Sequence, residues 1–142
     1  MNILLVEDNL ADLFIIQEAI DELDLAYHLE TATNGEMALK KIKDISQRDS
    51  IGLFDLILLD LNIPSPDGRQ ILKFLKADSS YADVPVVILT TSSDLKDINY
   101  AYQNHANAFV TKPYDIENFS EYIKNMLLYW EKLRIVSKRK NV

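Results

Sequence analysis

Two short apolar runs in this chain end alike. Leu56-Ile57-Leu58-Leu59 leads directly into Asp60, and Ile3-Leu4-Leu5-Val6 leads directly into Glu7-Asp8. A run of strand length without polar alternation reads as a parallel strand covered by helices on both faces. If both are central strands of one sheet, their carboxyl ends share an edge, and Glu7, Asp8 and Asp60 gather in the crevice where open α/β sheets bind ligands. Like charges held that close repel unless a cation joins them. Oxygen ligands with no Cys or His beside them suit a hard ion such as Mg²⁺. Asp60 read alone is equally a carboxylate that starts the turn Leu61 to Gly68. The matching end of the first run tilts the reading toward a site.

Other segments place helices between strands. Asn2 to Val6 is the first strand, and Asn9 or Asp12 offers a cap for a helix to about Asp24 with Leu13, Ile16, Ile20 and Leu23 inward. Tyr27 to Ala32 alternates as a strand near a sheet edge does. Asn34-Gly35 turns the chain into a helix with Ala38, Ile42 and Ile45 inward, and polar Ser46 to Ser50 closes it as a loop. After Asp60 comes a helix from about Arg69 to Ala77, then a polar loop from Asp78 to Asp83. Val84 to Leu89 is the fourth strand, ending in the hydroxyl cluster Thr90 to Ser93, and a helix through Ile98 and Tyr102 follows. Asn107 to Thr111 is the last strand. From Asp115 a helix carries Ile116, Phe119, Ile123, Met126, Leu127 and Trp130 on one face, with no Gly or Pro to stop it. This alternation predicts an α/β fold: a doubly wound, flavodoxin-like, five-stranded parallel sheet of order 2-1-3-4-5 with right-handed crossovers.

Composition removes several classes of function. The 142 residues suit one domain, and no apolar stretch reaches the roughly 20 residues of a membrane helix. The acidic start is no signal peptide. The absence of cysteine excludes disulfides, thiolate metal sites and thiol nucleophiles, and agrees with a reducing cytoplasm. A net charge of -7 argues against nucleic-acid binding by the body of the domain. The basic cluster Lys138-Arg139-Lys140 reads as a solvated tail.

Two further strand ends bring chemistry to the same edge: a hydroxyl at Thr90 and an ammonium at Lys112. Acids that hold a cation, a central carboxylate, a hydroxyl and a lysine form a set able to transfer a phosphoryl group. The three glycines form no Gly-rich phosphate loop, which weakens a cofactor-binding or phosphatase alternative on the same sheet without removing it.

Over residues 2–128 the chain resembles a receiver domain of two-component response regulators. The resemblance rests on Leu5-Val6-Glu7-Asp8-Asn9, on Leu58-Leu59-Asp60-Leu61-Asn62-Ile63-Pro64 with Asp67-Gly68, on Ile88-Leu89-Thr90-Thr91, and on Phe109-Val110-Thr111-Lys112-Pro113. It implies that Asp60 accepts a phosphoryl group from a sensor histidine kinase, the protein catalysing only its own phosphorylation and dephosphorylation. It further implies that Glu7, Asp8, Asp60 and the main-chain carbonyl of Asn62 hold Mg²⁺, that Thr90 and Lys112 contact phosphoryl oxygens, and that Phe109 is an aromatic switch. A cis Lys112-Pro113 bond is expected on the same ground. The remaining alternative within the family is a degenerate receiver that acts as a constitutive interaction module.

Residues 129–142 are expected to form a helical extension and basic tail with no output domain, so the signal passes by protein-protein interaction, including transfer to a histidine phosphotransfer protein, or by dimerisation. Thr90-Thr91-Ser92 and Tyr129-Trp130 resemble regulators paired with phytochrome-type kinases. Tyr122, Tyr129 and Trp130 are expected to serve a homodimer through the fourth helix, last strand and last helix, exposed aromatics being frequent interface anchors. The alternative for Trp130 is a lid folded back over the bottom of the sheet.

Overall fold

The computed structural model describes residues 1–46 and 53–140. Ten elements alternate: β1 (Asn2–Val6), α1 (Leu10–Asp21), β2 (His28–Ala32), α2 (Gly35–Ser46), β3 (Leu56–Leu59), α3 (Gly68–Ala77), β4 (Val86–Thr90), α4 (Leu95–Gln103), β5 (Ala108–Thr111) and α5 (Ile116–Lys140). The strands form one parallel sheet in the expected order β2-β1-β3-β4-β5.

Alternate residues of each strand supply two cores. Leu4, Val6, Ile57, Leu59, Val86 and Ile88 face the layer of α2, α3 and α4, whereas Ile3, Leu5, Leu56, Leu58, Val87 and Leu89 face α1 and α5. All four residues of β3 are fully buried, which is why the run shows no alternation in sequence. Each such side chain contributes about 1.5–3 kcal/mol by leaving water.

Caps fix where the helices begin. The Asn9 side chain accepts the Asp12 backbone N–H at 3.1 Å, so Asn9 rather than Asp12 starts α1. At α3, Asp67 and Gln70 close a reciprocal capping box. His105, at φ 67°, occupies the left-handed position just past α4, and its N–H donates to the Tyr102 carbonyl at 3.1 Å.

Several sequence expectations need correction. The first helix stops at Asp21, with Leu23 packed beyond it, and β4 begins at Val86, after Pro85, whose missing N–H cannot join the ladder. Ile116 opens α5 at 65% exposure instead of facing the core, which the helix first reaches at Phe119. Among the described residues the cis peptide bond is Ser65-Pro66, not Lys112-Pro113. Ser46 closes α2, and the rest of the loop expected to Ser50 lies outside the described residues, as does Gly52. The side chains of Ile45, Lys138, Arg139 and Lys140 also lie outside that description. No helix among the described residues is long and apolar enough to cross a membrane.

Candidate phosphoryl-transfer site

Three charged residues at the carboxyl edge are each the first beyond a strand, and each is held by one more ladder bond. Glu7 N–H donates to the Ala32 carbonyl at 2.9 Å, Asp60 N–H to the Val6 carbonyl at 3.0 Å, and Lys112 N–H to the Thr90 carbonyl at 2.7 Å. Sheet pairing therefore sets their backbones to one edge. The last of these bonds also directs Lys112 into the crevice without a cis bond before Pro113.

Carboxylate oxygens of Glu7, Asp8 and Asp60 lie within 4.8 Å of one another. Glu7 and Asp60 are buried, and Asp8 is exposed to the solvent side of the crevice. This is a hard oxygen set open on one side, which suits a divalent cation that keeps part of its water shell. Glu7 is already engaged: Oε1 accepts the Asn9 N–H at 3.0 Å and Oε2 the Lys112 ammonium at 2.7 Å. Asp60 Oδ1 accepts the Asn62 N–H at 3.1 Å.

Lys112 Nζ also reaches Asp12 Oδ2 at 2.8 Å and Asp60 Oδ2 at 3.3 Å. Burial opposes its charge, but hydrogen bonds to Asp12 and Glu7 outweigh it, and the lysine is held above its ordinary value. Burial pushes the Glu7 carboxyl up to about 7; the Lys112 hydrogen bond pulls against that and the Asp60 charge adds to it.

Thr90 is fully buried, and its Oγ1 accepts the Ser92 N–H at 3.5 Å. Phe109 packs half-buried on the core beneath α4, while its N–H, at the outer edge of β5, donates to the Tyr102 hydroxyl at 3.2 Å. Far from this edge, Tyr122 and Tyr129 are exposed on α5. Trp130 is not without a partner: it packs against the α1–α5 core and meets the Tyr129 ring edge-on, centroids 5.4 Å apart at 79°.

Sequence reasoning missed two parts of this region. Asp12 was visible only as a cap, although an acid one helical turn past Glu7-Asp8 was the available signal. Arg69, Asp97 and Ser92 form a second ionic cluster beside Thr90: Arg69 Nη2 lies 2.6 Å from Asp97 Oδ1, and the Ser92 hydroxyl donates to Asp97 Oδ2 at 2.7 Å.

Comparison with known proteins agrees with this geometry. The family model described as "Response regulator receiver domain" matches residues 3–124. The chain is 34% identical over 128 residues to "Probable methanogenesis regulatory protein FilR2" of Methanothrix harundinacea, covering 90% of this chain and 82% of that one. It is 31% identical over 128 residues to "Response regulator Rcp1" of Synechocystis sp., covering 90% of this chain and 87% of the other. The Mn(2+)-bound form of Rcp1 superposes with a TM-score of 0.83 over 91% of this chain and 93% of that chain. The phosphorylated cyanobacterial phytochrome response regulator RcpA superposes with a TM-score of 0.84 at 35% identity, over 91% of this chain and 92% of that chain.

Proposed function

Because this chain belongs to the response regulator receiver domain family, the phosphoacceptors of two-component signalling, we propose that Asp60 takes the phosphoryl group from a sensor histidine kinase. The observation that carries this reading is the place of Asp60: buried at the end of the central strand, within 4.8 Å of two further acids and 3.3 Å from the Lys112 ammonium. The phosphohistidine N–P bond breaks as an Asp60 oxygen bonds to phosphorus, and the electron pair leaves with the imidazole nitrogen. Asp60 is held for that attack by its ladder bond to β1 and by the Asn62 N–H. Lys112, and Thr90 once its hydroxyl turns toward the crevice, supply donors to the phosphoryl oxygens. Asp8, Asp60 and the Asn62 carbonyl, with Glu7 in support, would hold a Mg²⁺ ion, which would supply neutralising charge to the transferred group.

The protein is thus substrate and catalyst of its own phosphorylation and dephosphorylation. Its output is phosphorylation-dependent binding through residues 2–128, with the part of α5 beyond residue 128 as a helical extension. An aspartyl phosphate adds about two negative charges. Thr90 moves toward them, Phe109 turns into the space released, and the face of α4, β5 and α5 changes shape. Beside the crevice, Leu10 and Phe14 on α1 are 74% and 64% exposed, and Tyr114 and Ile116 stand exposed beyond β5. Apolar surface flanking a charged site suits a docked kinase helix or a histidine phosphotransfer protein. The likeness to the cyanobacterial phytochrome response regulator RcpA supports a phytochrome-type kinase; a cytoplasmic setting and a homodimer through α4, β5 and α5 complete the reading. Transfer of labelled phosphate from an autophosphorylated kinase to wild type but not to Asp60→Asn tests the reading; equal labelling of both refutes it.

A further inference from the structure

The Lys112 ammonium has three N–H donors, and three carboxylates take them. Glu7 and Asp12 hold the two shorter bonds, at 2.7 and 2.8 Å, while Asp60 is at 3.3 Å. Asp12 comes from α1, an element to which the proposed phosphoryl-transfer chemistry assigns nothing. Its side chain is 20% exposed and does not cap its helix, since the cap is Asn9 accepting the Asp12 backbone N–H.

We propose that Asp12 is a positioning residue for phosphoryl transfer, holding Lys112 off the Asp60 carboxylate so that Asp60 stays free to attack. The proposal rests on the reading of Asp60 as phosphoacceptor. A lysine bonded closely to the nucleophile would occupy the electron pair that must reach phosphorus, and would hold its charge where the cation is needed. Between Glu7 and Asp12 the ammonium is instead anchored from the β1–α1 side. Its third donor points at Asp60 from a distance at which it passes to a phosphoryl oxygen once that oxygen arrives. No proton changes hands: Lys112 keeps all its protons, and only its acceptor is exchanged. With the Asp12 charge removed, the ammonium is left to the two remaining carboxylates, Glu7 and Asp60, and its bond to the nucleophile tightens.

A competing role for Asp12 is simple stabilisation of the α1 N-terminus, where a carboxylate is favourable. That role would not depend on Lys112, so the two are separable. Phosphorylation by phosphoramidate at saturating Mg²⁺ is measured for the wild type, Asp12→Asn, Lys112→Gln and the double variant. Asp12→Asn is expected to slow the wild-type background by about tenfold or more, the scale of one lost charge-assisted hydrogen bond. In the Lys112→Gln background it is expected to change the rate less than about twofold. In metal-free protein the side-chain ammonium NMR signal of Lys112, assigned by its loss in Lys112→Gln, is expected to shift in Asp12→Asn. An undiminished rate in Asp12→Asn, an equal loss in both backgrounds, or an unmoved Lys112 signal overturns the proposal. A wild type that takes no phosphoryl group overturns the phosphoacceptor reading beneath it, a result distinct from failure of the Asp12 role alone.

Discussion

Gly68 lies against the Asp60 carbonyl: a Cβ at Gly68 would sit 2.1 Å from that oxygen and 2.6 Å from Leu61 Cα. Both neighbours are backbone, so neither can give way without moving Asp60 itself. Gly68→Ala is therefore expected to cost about 2 kcal/mol or more and to slow phosphorylation. Urea unfolding should show a lower midpoint at unchanged slope; a wild-type midpoint would mean that the turn tolerates the methyl group.

The Glu7 carboxyl should make metal-free stability depend on pH. Burial first, then the Asp60 charge, push it from 4.5 up to about 7 against the Lys112 hydrogen bond. Its folded value is the raised one, so the native state binds the proton more tightly than the unfolded chain. The stability it contributes is fully present below about pH 4.5 and is lost as pH rises through about 7. The shift sets an upper bound of about 3 kcal/mol. Urea midpoints should fall between about pH 5 and about pH 8 and flatten in Glu7→Gln, while Mg²⁺ affinity rises over the same interval as proton and cation compete for the site.

The Arg69–Asp97 pair ties α3 to α4 and, through Ser92, to the loop that leaves Thr90. Its side chains are 29% and 15% exposed, and Asp97 is held below the ordinary carboxylate range first by the Arg69 hydrogen bond, then by Ser92. A double-mutant cycle of Asp97→Asn with Arg69→Met should return a coupling of about 1 kcal/mol. It should disappear as pH falls through the depressed Asp97 value, because a carboxyl of that kind stabilises only while ionised. Coupling near zero at neutral pH would leave the Thr90 loop unclamped.

Dimerisation is expected to involve Tyr122 and Tyr129, which are 42% and 58% exposed beside an open groove of about 410 Å³ between β5 and α5. Trp130 lines the same groove and is packed, half-buried, against the α1–α5 core. Sedimentation should show a dimer for the wild type, weaker association for Tyr129→Ala, and lowered stability as well as association for Trp130→Ala. A wild type that stays monomeric with and without a phosphate mimic contradicts the interface.

The central strands and their charged ends were legible because strands buried on both faces leave unbroken apolar runs, and the residue after each run has one edge to go to. Glu7, Asp8, Asp60 and Lys112 meet there, and Thr90 ends β4 at the same edge. Asp12 was not legible in the same way, because its meeting with Lys112 depends on how α1 rotates over β1 and β5. The Arg69–Asp97 pair spans two elements that periodicity does not relate. Ile116 fits the helical stripe of α5, yet nothing in that stripe shows that the helix reaches the core only from Phe119 on.

The most direct test of the account is the intact mass of the wild type and Asp60→Asn after incubation with phosphoramidate and Mg²⁺. The wild type should gain the mass of one phosphoryl group, lost again on treatment with hydroxylamine, and Asp60→Asn should gain none. A phosphoryl group on Asp60→Asn at the wild-type rate, or none on the folded wild type, would contradict it.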